Sequence, residues 1–165
     1  MRTIKIKLYK FKELKKKAQE YAIEHNRDWN TDHDWWDSVY EDAQRIGLTI
    51  TSFDCDRREI TGDLTMTAMD SIKAIFEEHG EPCATYQTAT KHKSIFQCDT
   101  VKRRALEDED WEQEDPDLVD DYKKELLRDY LKMLDEEYDY LSSDESVGES
   151  LEANECEFTE GGELQ

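Results

Sequence analysis

The spacing of apolar side chains between Pro116 and Leu141 constrains the fold more than any other feature of the sequence. Apolar residues recur there at intervals of three and four, which is the period of an amphipathic α-helix. Proline is favoured at the first position of a helix, so Pro116 marks its start. Such a broad apolar face has to pack against a core or a partner. The apolar positions form two adjacent seams: Val119, Tyr122, Leu126, Tyr130 and Met133 in one, and Leu127, Leu131, Leu134, Tyr138 and Leu141 in the other.

The remaining sequence predicts shorter helices and a few strands. Apolar and charged residues alternate from Thr3 to Lys10, which indicates a strand, and "LTITSFDCD" and "EITGDLTM" indicate a hairpin. Residues 81–104 have mixed periodicity and favour a helix. The expected fold class is therefore α+β, with a small antiparallel sheet packed with several helices and a long acidic amphipathic helix in the C-terminal half. Other helices are expected at 11–26, from Thr31 or Asp32 to Gly47, from Ala68 to Gly80 and after Ser142 or Ser143, before a last strand in "ECEFTEGGEL".

The net charge of −20 is distributed unevenly along the chain. Residues 1–104 carry 18 basic and 18 acidic side chains, whereas residues 105–165 carry 24 acidic and 4 basic ones. Solubility of a small domain requires a net charge of only about 2 to 8 in magnitude, so this excess needs another explanation. We interpret residues 1–104 as a charge-neutral α+β core and residues 105–165 as an acidic helical part packed on the same domain. The seven lysines from Lys5 to Lys17 are expected to pair with some of this acid.

The sequence contains no pattern typical of secretion or membrane insertion. It has no leading apolar run of the signal-peptide type and no stretch of about 18 apolar residues. Cys55, Cys83, Cys98 and Cys156 are widely spaced and form no C-x-x-C pair, so a zinc cage or a thioredoxin-like site is not indicated. We expect a reducing cytoplasm and no association with a membrane.

The motifs of most catalytic chemistries are missing. The sequence has no glycine loop for nucleotides, no H-E-x-x-H and no G-x-S-x-G. We therefore expect a protein that is not an enzyme, with no catalytic residues, no metal and no cofactor. A divalent-metal nuclease that uses Asp32, Asp34, Asp54 and Asp56 stays open as a third hypothesis, although helix capping and a polar turn between strands explain these carboxylates better.

The stretch from Ala105 to Asp117, "ALEDEDWEQEDPD", carries most of the functional information, because eight of its thirteen residues are acidic. Duplex DNA presents one negative charge per about 1.7 Å of its axis, and proteins that bind it line their grooves with Lys and Arg. A helix with carboxylates on one face could occupy such a groove, whereas the simpler interpretation is a solvated helix face with a flexible connector. Trp111 is the candidate aromatic anchor. The candidate partner-binding residues are Asp108, Asp110, Trp111, Glu112, Glu114, Asp117, Asp121, Glu125, Asp129, Glu136 and Asp139.

Several stretches carry a resemblance to a known family. "LYKFKELKKKAQEYAIEH", "DWWDSVYEDAQRIGL", "FEEHGEPCATYQTA" and "LKMLDEEYDYLSSDESVGESLEANECEFTEGG" together resemble small proteins spread through tailed bacteriophages and prophages, some of them labelled antitoxin-like. The resemblance covers most of the chain and is most specific in the last stretch. It implies a phage or mobile-element origin and the cytoplasm of a bacterial host, and it transfers no catalytic residue. Small acidic phage proteins that lack active-site motifs often resemble DNA mimics. This comparison is an analogy between classes of protein and does not rest on particular residues.

The leading hypothesis is a phage-encoded, non-enzymatic inhibitor of a host defence protein of the CRISPR, restriction or related kind. It would bind the basic nucleic-acid groove of that protein and would not bind nucleic acid itself. The alternative is an antitoxin or an assembly partner that binds through apolar surface, using Trp35, Trp36 or the second seam of the long helix. The sequence leaves open whether the chain forms a homodimer.

Overall fold

The computed structural model describes residues 7–106 and 109–165 and has the α+β fold that the sequence predicts. Strands form two small antiparallel sheets, β1 with β4 and β2 with β3, as labelled below. Within the part of the chain that the structure describes, no helix combines the length and the apolar character needed to span a bilayer. In chain order the elements are β1 (Tyr9–Lys10), α1 (Lys16–His25), α2 (Asp37–Arg45), β2 (Leu48–Asp54), β3 (Glu59–Leu64), α3 (Ala68–Glu78), α4 (Ala84–Ala105), α5 (Pro116–Leu141), α6 (Asp144–Ala153) and β4 (Glu157–Phe158).

Two predicted helices are shorter than expected. The helix predicted at 11–26 begins only at Lys16, after one turn of 3-10 helix, because Leu14 and Lys15 have extended backbone. Leu14 is buried, so packing of this side chain overrides the continuous helical spacing. The helix predicted from Thr31 or Asp32 begins at Asp37. Of the strand predicted at 3–10, residues 3–6 lie outside the described residues.

Packing divides the chain into two compact units, which we call unit 1 and unit 2. Unit 1 comprises the described residues up to Trp35 together with Glu136–Gln165, and unit 2 comprises Trp36–Asp135. The charge distribution indicates a boundary after residue 104. This position coincides with neither of the two places where the chain passes from one unit to the other, after Trp35 and after Asp135. The packing of residues 105–165 on one domain with residues 1–104 stays a prediction.

In unit 1, the first strand pairs with the last and α1 packs against α6. Tyr9 lies opposite Phe158 in the antiparallel pair β1 and β4. Three lysines of the basic amino end form ion pairs with carboxylates near the C-terminus, Lys10 with Glu157, Lys12 with Glu152 and Lys15 with Glu160, so the expected pairing is confirmed for these three. All three pairs are exposed, so each contributes about 0 to 1 kcal/mol. The core consists of Leu14, Ala18, Ala22, Val147, Leu151 and Phe158.

In unit 2, helices α2 to α4 and the first part of α5 pack with the hairpin of β2 and β3. Helix α2 ends at Arg45, and Gly47, just beyond its C-cap, has a φ of +76°, a conformation that favours glycine. Helix α5 contributes most of its first seam and Leu127 of its second seam to this core, and the Tyr122 hydroxyl is hydrogen-bonded to Ser71 Oγ at 2.9 Å. The buried core consists of Ala43, Ile46, Leu48, Ile50, Ala68, Ile72, Ile75, Ala89, Phe96, Tyr122, Leu126, Leu127 and Tyr130.

Candidate partner-binding surface

The acidic segment 109–115 is fastened to the end of α4 by an arginine. The Arg103 guanidinium donates two hydrogen bonds of 2.9 Å, from Nη1 to the Gln113 carbonyl and from Nη2 to the Asp110 carbonyl. The neighbouring Arg104 guanidinium lies 5.0 Å from the centre of the Trp111 ring, a cation–π contact. Trp111 is half-buried. This segment therefore has a defined conformation on unit 2, which a flexible connector would not have.

Two carboxylates of the segment cap helices. Glu114 accepts hydrogen bonds from the backbone N–H groups of Ala68 (2.9 Å, to Oε2) and Met69 (2.8 Å, to Oε1), at the start of α3. Asp115 caps α5 through Oδ1, which accepts from the N–H groups of Asp117 (2.9 Å) and Leu118 (3.3 Å). An acidic group is favoured at both places, because the first N–H groups of a helix lack partners and carry partial positive charge. Glu114 thus has a structural role besides the one that the sequence suggested.

The acidic residues of α5 within unit 2 have different surroundings. Asp117 and Asp121 are exposed. Glu125 accepts hydrogen bonds from Lys91 Nζ (2.7 and 2.8 Å) and lies 2.7 Å from His92 Nε2, and these two partners, Lys91 first, hold its pKa below the usual value. Of these three carboxylates, Asp117 and Asp121 are therefore the ones directed to solvent.

Asp129 is half-buried beside α4. The Thr88 hydroxyl donates a hydrogen bond of 2.7 Å to its Oδ2 atom. Burial raises the pKa of Asp129, because removing a carboxylate from water disfavours its charged form, and the bond from Thr88 only partly offsets this. A carboxylate held in this way is poorly placed to meet a basic partner.

Basic side chains interrupt the acidic face further along α5. Lys124, Arg128 and Lys132 are exposed and follow one another at intervals of four, so they form a stripe on the helix, which has about 3.6 residues per turn. Lys124 Nζ lies 2.6 Å from Asp120 Oδ2. The excess of negative charge in unit 2 is therefore concentrated before these residues, in the segment 109–115 and the first turns of α5.

The remaining predicted site residues lie on both units or outside the described residues. Asp110 and Glu112 are exposed in unit 2, and Asp110 Oδ1 accepts a hydrogen bond of 3.0 Å from Gln113 Nε2. Glu136 and Asp139 are exposed in unit 1. Asp108 lies outside the described residues.

The apolar residues of the alternative hypothesis are mostly engaged inside the protein. Trp36 packs edge-on against Phe53 in unit 2, with ring centres 5.6 Å apart, and Trp35 packs at 5.7 Å against Tyr138 in unit 1. Both indoles are half-buried. In the second seam of α5, Leu127, Leu131 and Leu134 are buried, whereas Tyr138 is 43 % exposed. Little of the expected apolar surface is thus left for a partner.

The carboxylates of the nuclease hypothesis form no metal site in the described ranges. Among residues 7–106 and 109–165, no three His, Cys, Asp or Glu side chains are grouped as metal ligands would be. Asp54 instead caps the hairpin turn, where its Oδ1 accepts a hydrogen bond of 2.9 Å from the Arg57 N–H. Asp56 is exposed on that turn.

The strongest candidate for a binding site is a set of exposed carboxylates that we call the acidic surface, defined as Glu109, Asp110, Glu112, Asp117 and Asp121. It retains four residues of the predicted set and adds Glu109. Its anchor, Arg103, could not be identified from the sequence, because no local pattern distinguishes it from Lys102 or Arg104. No protein-family model, no curated protein and no solved structure matches this chain.

Proposed function

We propose that this chain is a phage-encoded, non-enzymatic inhibitor that binds the basic nucleic-acid groove of a host defence protein through the acidic surface. The observation that carries the proposal is the attachment of segment 109–115 to unit 2 by Arg103. Because Arg103 binds main-chain carbonyls, the backbone that carries the neighbouring carboxylates is held on unit 2. Binding then requires less ordering than a flexible acidic tail would, and preorganisation of this kind favours affinity.

The excess of acidic over basic side chains in unit 2 supports the same function. Unit 2 holds 25 acidic and 13 basic side chains, so a basic groove is attracted to it from a distance. Complementary charge of this kind speeds association and selects partners, and added salt weakens it. The same excess repels phosphate, so direct binding to nucleic acid is not part of the proposal. Restriction enzymes and CRISPR effectors are targets of the required chemistry, because they bind DNA or RNA in basic grooves.

The resemblance to phage and prophage proteins supports the biological setting, which is the cytoplasm of an infected bacterium. In that setting the protein would protect phage DNA by occupying the groove that the defence enzyme needs. The inhibitor has no reaction to catalyse, and the proposal requires neither a cofactor nor a homodimer.

The test is a plating assay with charge-matched variants. The chain is expressed in bacteria that carry individual restriction or CRISPR systems, and the efficiency of plating of a sensitive phage is measured. The test variant combines Glu109→Lys, Glu112→Lys, Asp117→Lys and Asp121→Lys. The control variant combines Asp37→Lys, Glu59→Lys, Glu77→Lys and Glu78→Lys, which are also exposed in unit 2, so both variants have a net charge of −12.

The expected result is that the chain raises plating against at least one system and that only the test variant loses this protection. The purified target should then bind DNA and the chain competitively, with an affinity for the chain that falls steeply between low and high salt. Equal loss of protection in both variants, or binding that salt does not change, would refute the acidic surface as the binding site.

A further inference from the structure

A cavity of about 620 Å³ lies in unit 2 beside the acidic surface. It is bounded by the start of α3, the second half of α4 and the segment 109–115. Met69 and Phe96 give it apolar walls, and Val101, whose side chain is 69 % exposed, stands at its edge. A volume of this size is within the range of small-ligand pockets, about 300 to 1,000 Å³.

Four carboxylates line the same cavity: Asp99, Glu112, Glu114 and Asp115. Glu114 and Asp115 accept hydrogen bonds from helix N–H groups. Asp99 Oδ2 lies 3.8 Å from Arg103 Nη1, and Glu112 is exposed. Apolar walls with an acidic lining fit a group that combines an aliphatic stem with a positive head.

We propose that this cavity receives an arginine side chain of the basic partner. The inference rests on the proposed function and names the contact by which the partner would be recognised. The arginine stem would lie against Met69 and Val101, and its guanidinium would face Glu112 and Asp99.

Arginine fits better than lysine, because the segment that borders the cavity already holds two guanidinium groups of this chain. Main-chain carbonyls of this segment accept two hydrogen bonds from Arg103. The indole of Trp111 in the same segment lies against the Arg104 guanidinium. A guanidinium is planar, more weakly hydrated than an ammonium group and suited to apolar and aromatic surroundings. An arginine buried at the centre of an interface is also a frequent source of binding energy.

The test uses a defined peptide probe. The side-chain methyl groups of Met69 and Val101 are followed by NMR while the full chain is titrated with acetyl-Gly-Arg-Gly amide. Acetyl-Gly-citrulline-Gly amide is the matched control peptide, because citrulline has nearly the same shape without the charge. We expect saturable shifts of both methyl signals with the arginine peptide and none with the citrulline peptide.

Two variants locate the binding. Glu112→Gln should raise the Kd of the arginine peptide about threefold, as expected for one partly exposed charge. Val101→Trp should abolish the shift at Met69 by filling the entrance, and the exposure of Val101 makes the change compatible with folding. Glu78→Gln, an exposed change on α3 away from the cavity lining, should leave the Kd unchanged.

The proposal is overturned if the arginine peptide produces no saturable shift, if citrulline binds equally well, or if Glu112→Gln and Val101→Trp have no effect in chains whose spectra show the native fold. Protection of phage by a chain that fails this titration would refute the cavity contact and leave the proposed function standing. Peptide binding by a chain that protects against no defence system would refute the proposed function alone.

Discussion

Tyr130 donates a hydrogen bond of 2.8 Å to Asp42 Oδ2 and thereby links α5 to α2 inside unit 2. His79 Nε2 lies 3.3 Å from the same oxygen, and His79 Nδ1 lies 2.7 Å from Thr85 Oγ1. Interaction with His79, and then with the Tyr130 hydroxyl, holds the pKa of Asp42 below 3.8. These polar contacts link α2 and the middle of α5 to the end of α3 and the start of α4.

Asp42→Asn should therefore destabilise the protein at neutral pH, by about 1 kcal/mol for a charged hydrogen-bond acceptor that is partly exposed. A carboxylate whose pKa is lower in the folded state adds stability above its unfolded pKa. The difference between wild type and Asp42→Asn should thus shrink as the pH falls below 3.8. Urea unfolding at several pH values measures it. Glu41→Gln, an exposed change in the middle of the same helix, should show no such difference at any pH.

Asp129→Asn should have the opposite effect. The pKa of Asp129 is raised by burial, so its carboxylate costs stability above the folded pKa, and protonation removes the cost. An asparagine can still accept the hydrogen bond from Thr88. We expect a gain of less than about 1 kcal/mol at neutral pH, because the site is half-exposed. The gain should vanish below pH 3.8 in the same urea experiments. A loss of stability at pH 7 would contradict this account.

Glu114→Ala should destabilise the chain by about 0.5 to 2 kcal/mol, the usual range for a lost helix cap. Its two hydrogen bonds satisfy the first N–H groups of α3, and nothing else in the described surroundings replaces them. Glu112→Ala, two residues away and exposed, should change stability by less than about 0.5 kcal/mol. Thermal or urea unfolding of both variants provides the comparison. Equal effects would mean that the cap contributes nothing.

Added salt should stabilise this protein. With a net charge of −20, repulsion among carboxylates opposes the compact state, and ions screen it. The midpoint of thermal unfolding should rise between low and moderate NaCl concentrations. The control variant described above, with a net charge of −12, should show a smaller rise. Salt-independent midpoints in both proteins would indicate that the repulsion is already relieved by local ion pairs.

The elements with strong local signals could be predicted from the sequence. The amphipathic helix α5 is confirmed over its 26 residues, and six apolar side chains of its two seams are buried, because apolar residues recur there at every third or fourth position. Helix α3 begins at Ala68 as expected, where Thr67 caps it with Oγ1 accepting from the Asp70 N–H at 3.1 Å. The predicted start of α2 is wrong, because Thr31 and Asp32 resemble capping residues although the helix begins at Asp37. Local chemistry predicts a cap only where packing allows the helix to continue.

The candidate site was predicted less well, because charge in the sequence does not reveal which carboxylates have partners. Glu114, Glu125 and Asp129 were assigned to the binding surface by position on a helix face or in an acidic run. Their partners at Ala68, Lys91 and Thr88 lie 34 to 46 residues away in the chain. No spacing rule identifies such contacts, since they depend on how α3, α4 and α5 pack together.

Anchoring by Arg103 has an evolutionary consequence. Its two hydrogen bonds go to main-chain carbonyls, which every residue possesses, so the shape of segment 109–115 does not depend on the identity of the side chains at 109 and 112. These side chains can therefore mutate without loss of the loop conformation. Under the function proposed above, sequence changes at 109 and 112 would alter recognition of the partner while the scaffold stays constant.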